Sequence, residues 1–216
     1  MSKLYEGFST HITGITGNGK SYWTKKKLIP LLVKFKPVII FDYKGEYAGP
    51  RAIDHNPSWN SYKDFDDFLF KSVKRKKITK QVHVIYSRNN EDYIKGLQFL
   101  EWKRAQVSII LDEAQFIFKD NNLSDARTPL VKLVRAGRSD GTDVIMISQR
   151  VMDMPPDIRS QFTKRITFFQ QHSADIYVMY NDNGFLNAEQ ARELDKTEYM
   201  ILGSFPDHLK LKSNTK

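Results

Sequence analysis

The chain has 216 residues, 40% of them hydrophobic, a size and composition that suit a single domain with one buried core. No apolar run reaches membrane-span length, the N-terminus Met1-Ser2-Lys3-Leu4-Tyr5-Glu6 has no apolar signal region, and the absence of cysteine excludes disulfides and thiolate metal sites. These features fit an intracellular chain, and the net charge of +9 suits either a solvated surface or a polyanionic partner.

A short β-rich run at 9–13 leads into Gly14-Ile15-Thr16-Gly17-Asn18-Gly19-Lys20-Ser21, which fits the phosphate-loop pattern G-x-x-x-x-G-K-[ST] at every fixed position. The glycines let backbone N–H groups approach phosphate oxygens, Lys20 suits the β- and γ-phosphates of ATP, and the Ser21 hydroxyl suits Mg²⁺. A helix over 22–34 would aim its positive end at the same anion, which adds Tyr22 to the candidate nucleotide-binding residues. Leu28, Leu31, Leu32 and Phe35 share its buried face, and Pro30 predicts a bend or an end.

The β-branched run 38–42 reads as a parallel strand covered on both faces. It ends in Asp42-Tyr43-Lys44-Gly45-Glu46, so two carboxylates fall where open α/β sheets place ligands; Asp42 serves equally well as a turn cap. A loop over 49–61, a helix over 61–75 and a strand over 81–86 follow, with a basic cluster at Lys74-Arg75-Lys76-Lys77. Asn89 or Asn90 caps a helix to about 103, with Tyr93, Leu97, Leu100 and Trp102 facing inward as core.

The run 107–113 drives four apolar residues and a serine into Asp112 and Glu113, the form of a Walker B strand. Asp112 would reach the Mg²⁺ shell through water, and Glu113 is placed to polarise an attacking water. Residues 119–127 read as a polar loop, 129–137 as a short helix, and Gly137-Arg138-Ser139-Asp140-Gly141 as a turn into a buried strand ending at Gln149. Beyond it come a strand over 164–169, helices over 173–181 and 187–195, and a strand over 199–203; Lys210, Lys212 and Lys216 make the tail basic.

Taken together, the phosphate loop, D-x-x-G-E at 42–46, L-D-E-A-Q at 111–115 and G-R-x-x-G before a strand ending in S-Q resemble the HerA–FtsK superfamily of DNA-pumping ATPases, over about 9–170. The resemblance implies a three-layer α/β/α sandwich with a mostly parallel sheet, a P-loop NTPase of the RecA-like/ASCE type. It places Gln149 beside the γ-phosphate as a sensor, between the phosphate-loop and Walker B strands. Arg138, with Arg135 as second choice, matches the arginine that acts in trans on a neighbouring subunit. The catalytic set so implied is Lys20, Glu113, Gln149 and Arg138, with Ser21 and Asp112 at the metal.

The chain is little more than a motor core, like the minimal genome-packaging ATPases of tailless, internal-membrane double-stranded DNA viruses. That likeness implies a homo-oligomeric ring, a hexamer or pentamer, acting on double-stranded DNA without regard to sequence. It would work in the host cytoplasm or at the virion packaging vertex, with vertex or membrane proteins as partners. The segment 171–216 matches no motif and suits assembly or partner contact. Competing readings are a phage morphogenesis or secretion ATPase, a P-loop small-molecule kinase, and a nucleotide-gated scaffold.

Overall fold

In a computed structural model of the chain, the described residues are 6–48, 51, 52, 56, 58–73, 81–118, 123–162, 164–184 and 187–215. Among these residues eight strands are present: β1 Ser9–Thr13, β2 Val38–Phe41, β3 Asn60–Tyr62, β4 Val82–Ile85, β5 Ser108–Leu111, β6 Asp143–Ser148, β7 Arg165–Thr167 and β8 Met200–Leu202. They form one sheet in the order β3-β4-β2-β5-β6-β1-β7-β8. Every neighbouring pair is parallel except β7 with β8. Because the parallel strands share one direction, their carboxyl ends collect along a single edge. The expected placement of β6 between β5 and β1 holds.

The central strands are buried on both faces, as their unbroken apolar runs require. Alternation along each strand divides the side chains between two cores. Ile39, Phe41, Ile109, Leu111, Val144 and Met146 pack on one side with Tyr93, Leu97 and Leu100 of α4 (Asn90–Lys103) and Leu130 and Leu133 of α5 (Leu123–Asp140). Val38, Ile40, Ile110, Ile145 and Ile147 pack on the other with Trp23, Leu28, Ile29 and Leu32. The result is the three-layer α/β/α sandwich of P-loop NTPases.

The helical segment after the phosphate loop runs through 20–32 as α1 (Lys20–Trp23), a π-helical stretch (Thr24–Leu28) and α2 (Ile29–Leu32). Pro30 explains the wide turn. In a regular α-helix its ring would collide with the carbonyl of Lys26, four residues back, and its missing N–H would orphan that acceptor. The helix neither ends nor breaks; it widens just ahead of the proline.

Elsewhere the structure departs from the sequence expectations. The end of the expected loop and the start of the expected helix, 60–62, form β3, a short edge strand, and the helix begins only with α3 (Phe65–Phe68), capped by Asp64 accepting from the N–H of Asp67 at 2.7 Å. Trp102 is 70% exposed rather than core, because it stands two residues, about 200°, round the helix from Leu100. Helix α5 starts at Leu123, ahead of Pro129, and continues through Gly137 and Arg138 to Asp140. Gly137 is therefore no turn residue but a helical one packed closely on the next strand: a Cβ there would stand 3.2 Å from Thr142 Cβ, tighter than most such contacts. The true turn is Gly141, at φ 78°. The expected helix over 187–195 is only a 3-10 turn, Ala188–Arg192. The cluster 74–77, residues 119–122 and Lys216 lie outside the described residues.

The segment beyond 170 folds onto the rest. Helix α7 (Ser173–Asn183) contributes Ile176, Val178 and Met179 to a third apolar cluster with Val151, Ala191, Met200 and Leu202, and β8 completes the sheet. Among the described residues no helix is long and apolar enough to cross a membrane.

Candidate active site

The turn after β1 opens at Gly14 and closes on Gly19, the N-cap of α1, which adopts φ 80°. That left-handed backbone costs a side-chain-bearing residue about 1–2 kcal/mol. A Cβ on Gly14 would stand 2.6 Å from Phe168 Cβ, so the loop lies against β7's exit with no room for a methyl group. The N–H of Ile15 donates to the Phe169 carbonyl at 3.3 Å. Lys20 Nζ donates to the carbonyls of Gly14 at 2.5 Å and Ile15 at 3.1 Å. Burial lowers its pKa, against the opposing pull of Glu113.

Beside the loop lies a cavity of about 410 Å³. It is lined by Thr16, Gly17, Gly19, Lys20, Ser21, Tyr22 and Lys25 of the loop and its helix, and by Lys44, Glu46, Arg51 and Glu113. Backbone amides, cations and a helix N-terminus on one cavity are the chemistry of a polyphosphate site.

Asp112 and Glu113 follow β5 at the same edge. Asp112 is buried, and its Oδ2 has no hydrogen-bond partner among the described residues. Desolvation drives its pKa well above the carboxylate range, with Asp42, Glu113 and Glu46 adding repulsion. A buried, partnerless carboxylate oxygen fits a place in a cation's hydration shell. Glu113 adopts φ 50°, left-handed backbone that is uncommon outside glycine and turns its carboxylate towards the cavity. Lys44 forms an ion pair with its Oε1, while Gln115 Nε2 donates to Oε2. Gln149 Nε2 reaches the same Oε2 at 3.3 Å.

Asp42 takes the turn-cap role. It is fully buried and accepts from the N–H groups of Glu46, Tyr47 and Ala48 at 2.9, 3.0 and 3.1 Å. Burial raises its pKa and those backbone bonds oppose the rise. Its work is to curl the following loop so that Lys44 and Glu46 face the cavity. Tyr43 reinforces this by stacking on Phe116 at 4.2 Å between centroids.

The family described as the central domain of helicase HerA matches residues 8–141, well over half of the chain. The chain belongs to the HerA central-domain family. It is accordingly a nucleotide-binding P-loop ATPase of the HerA–FtsK superfamily. Among solved structures, the genome packaging NTPase B204 of Sulfolobus turreted icosahedral virus 2, in complex with AMPPCP, superposes with a TM-score of 0.68 at 22% identity, covering 90% of this chain and 91% of that one. VirB4 of Thermoanaerobacter pseudethanolicus superposes with a TM-score of 0.64 at 14% identity, over 92% and 87% of the two chains. The pCW3 conjugation coupling protein TcpA gives a TM-score of 0.62 at 16% identity, over 93% of this chain and 58% of its own. No curated protein matches the chain.

Within this HerA-type frame the predicted residues divide into two groups. Lys20, Ser21, Tyr22, Glu113 and the rest of the loop gather at the carboxyl edge, with Gln149 and Asp112 beside them. Arg138 stands at the opposite edge: its carbonyl accepts from the N–H of Gly7, ahead of β1, and its side chain pairs with Glu6 at 2.5 Å. The five residues of β1 separate it from the phosphate loop by about 17 Å. It is 62% exposed in the last turn of a helix, not on a flexible turn, and Arg135 is exposed one turn earlier. Lys44, Gln115 and Arg51 were missed as site residues. The first two had a signal, since each lies within two residues of a quoted acidic position, Glu46 and Glu113.

Proposed function

We propose that the chain is an ATP-driven double-stranded DNA translocase that packages a viral genome into a preformed capsid. The observation that carries the proposal is the contact of Gln149 with Glu113, which lines the same cavity as Lys20. A carboxylate held by two amides and the Lys44 ammonium beside a phosphate site is placed to orient and deprotonate an attacking water. End-to-end likeness to a packaging NTPase, with about 90% of both chains aligned, supports the packaging role.

In this reading the loop amides and Lys20 hold the β- and γ-phosphates. Ser21 and Asp112 would hold Mg²⁺, which would supply neutralisation of the phosphate charge. Glu113 is the general base, and Gln149 reads the γ-phosphate. The exposed ring of Tyr22, at the cavity wall, offers a face to the nucleobase. Arg138 completes a neighbouring copy's site in a homo-oligomeric ring, because its edge is remote from the phosphates of its own chain. The excess of 34 basic over 25 acidic residues supports a grip on DNA phosphates without sequence preference.

The deciding experiment measures ATP hydrolysis with and without duplex DNA, and strand-independent movement along it. Hydrolysis stimulated by unrelated duplexes supports the proposal. Hydrolysis indifferent to DNA would overturn it in favour of a morphogenesis or secretion ATPase.

A further inference from the structure

Three side chains below the phosphate edge take no part in the site described above, yet they form a continuous hydrogen-bonded line through the sheet. His11 of β1 is paired in register with Met146 of β6 on one side and Arg165 of β7 on the other. Neighbours in register share a face, and Ser148, two residues beyond Met146, shares it too. His11 and Arg165 are wholly buried, with Phe162 against the imidazole at 5.7 Å.

The protonation pattern of this line follows from chemistry. Arg165 is held to a pKa of about 9 by burial and stays cationic at neutral pH. A guanidinium only donates, so at 3.2 Å its Nη1 makes His11 Nδ1 the acceptor. His11 Nε2 therefore carries the proton and donates to Ser148 Oγ at 2.6 Å. With its oxygen so occupied, the Ser148 hydroxyl directs its own proton to the Arg150 carbonyl at 2.7 Å. That last bond spans Gln149.

We propose that Arg165, His11 and Ser148 are positioning residues for Gln149. The line ties the strand that carries the phosphate loop to the two residues flanking the sensor. It pins the turn 148–150 so that the Gln149 amide meets Glu113. Arg150 is anchored from the far side as well: its Nε pairs with the buried Asp175 of α7 at 3.1 Å, and the same carboxylate accepts from the Met152 N–H at 3.0 Å. The sensor thus sits on a turn fixed from below by His11 and from the side by α7. This inference rests on the reading of Gln149 as the γ-phosphate sensor.

The test uses the full-length protein and four variants: Ser148→Ala, Ser148→Thr, Gln149→Ala and Ser148→Ala with Gln149→Ala. Misplacing a catalytic group by about 1 Å can cost up to about a hundredfold in rate. Ser148→Ala should lower kcat about tenfold or more, leave KM and the affinity for a non-hydrolysable ATP analogue within about twofold, and be rescued by Ser148→Thr, which keeps the hydroxyl. The double variant should be no slower than Gln149→Ala alone, since a residue acting through Gln149 is silent once the amide is gone. A further loss in the double variant equal to that in the wild-type background would overturn the proposal, as would an unchanged kcat in Ser148→Ala. If Gln149→Ala itself hydrolyses ATP at the wild-type rate, the sensor reading fails instead. Independently of activity, the ring ¹⁵N spectrum should show His11 as the Nε2–H tautomer from pH 6 to 8. A protonated or Nδ1–H ring would break the line.

Discussion

Gln149 and Glu113, 36 residues apart in sequence, meet at 3.3 Å because β6 lies beside β5 in the sheet and both strands end at the same edge. In the proposed mechanism the pairing joins the base that polarises water with the sensor of the phosphate that water attacks. Neither residue needs a neighbouring chain to reach the other.

Replacing Glu113 by glutamine removes the base while keeping the shape. ATP hydrolysis should fall by about a hundredfold or more, the scale of general-base contributions, while binding of a non-hydrolysable analogue persists. Steady-state hydrolysis and analogue titration check this together. An unchanged rate would make Glu46, on the same cavity, the next candidate base.

Arg138 is exposed and its ion pair with Glu6 is a surface pair, worth at most about 1 kcal/mol. Arg138→Ala should therefore leave the unfolding midpoint almost unmoved. Its effect on hydrolysis by the assembled protein should be large, since fingers of this kind contribute ~10³–10⁵ in rate. Mixing Arg138→Ala with Lys20→Ala subunits, each inactive alone, should restore some turnover. A dead mixture in demonstrably mixed oligomers would assign Arg138 to its own surface.

Lys36 and Asp143 form a buried ion pair at 2.7 Å, and the same carboxylate accepts from Ser108 Oγ at 2.6 Å and the Phe8 N–H at 3.2 Å. Lys36→Met strands a buried charge, so about 3–5 kcal/mol of stability should be lost near neutral pH. Burial raises the pKa of Asp143, which therefore protonates and sheds its charge at a higher pH than an ordinary aspartate. The deficit measured by urea unfolding should shrink as the pH is lowered.

His11 should make the fold acid-sensitive. Burial first, then Arg165 of β7 and Arg159 of α6 (Pro156–Arg159), hold its pKa well below the ordinary value. The unfolded chain binds a proton near pH 6.5 that the native state refuses, so stability rises with pH. This contribution is complete above about pH 6.5 and is lost below it, at up to about 1.4 kcal/mol per pH unit. Unfolding between pH 5 and 7.5 should show a flatter pH dependence in His11→Gln than in the wild type. An equal slope would place the acid sensitivity elsewhere.

Much of this was legible in the sequence, for physical reasons. The phosphate loop and the β5 run each put a fixed chemical pattern on consecutive residues, so the gathering of Lys20, Asp112 and Glu113 at one edge of the sheet was legible. The strand order needed the resemblance, because pairing between β5, β6 and β1 is a long-range fact that no local pattern encodes. Helix α5 was misread at both ends for one reason: Pro129 and Gly137 carry strong local breaker signals, and packing against Thr142 and the α4 side overrode them. The line from Arg165 to Ser148 left no trace, since a lone histidine in a β-run says nothing of what faces it.

The antiparallel strand β8 carries a consequence for handling the protein. It covers the free edge of β7, and its own outer side is occupied: the Ile201 N–H donates to Ser213 Oγ at 2.9 Å, while Tyr199 and Asn214 exchange backbone bonds at 3.0 and 3.3 Å. Shortening the chain to the motif-bearing region, at about 170, would strip both covers and leave β7 as an unguarded template for strands of other molecules. Such a trimmed form, though it keeps every residue of the nucleotide cavity, should come out of expression as insoluble aggregate.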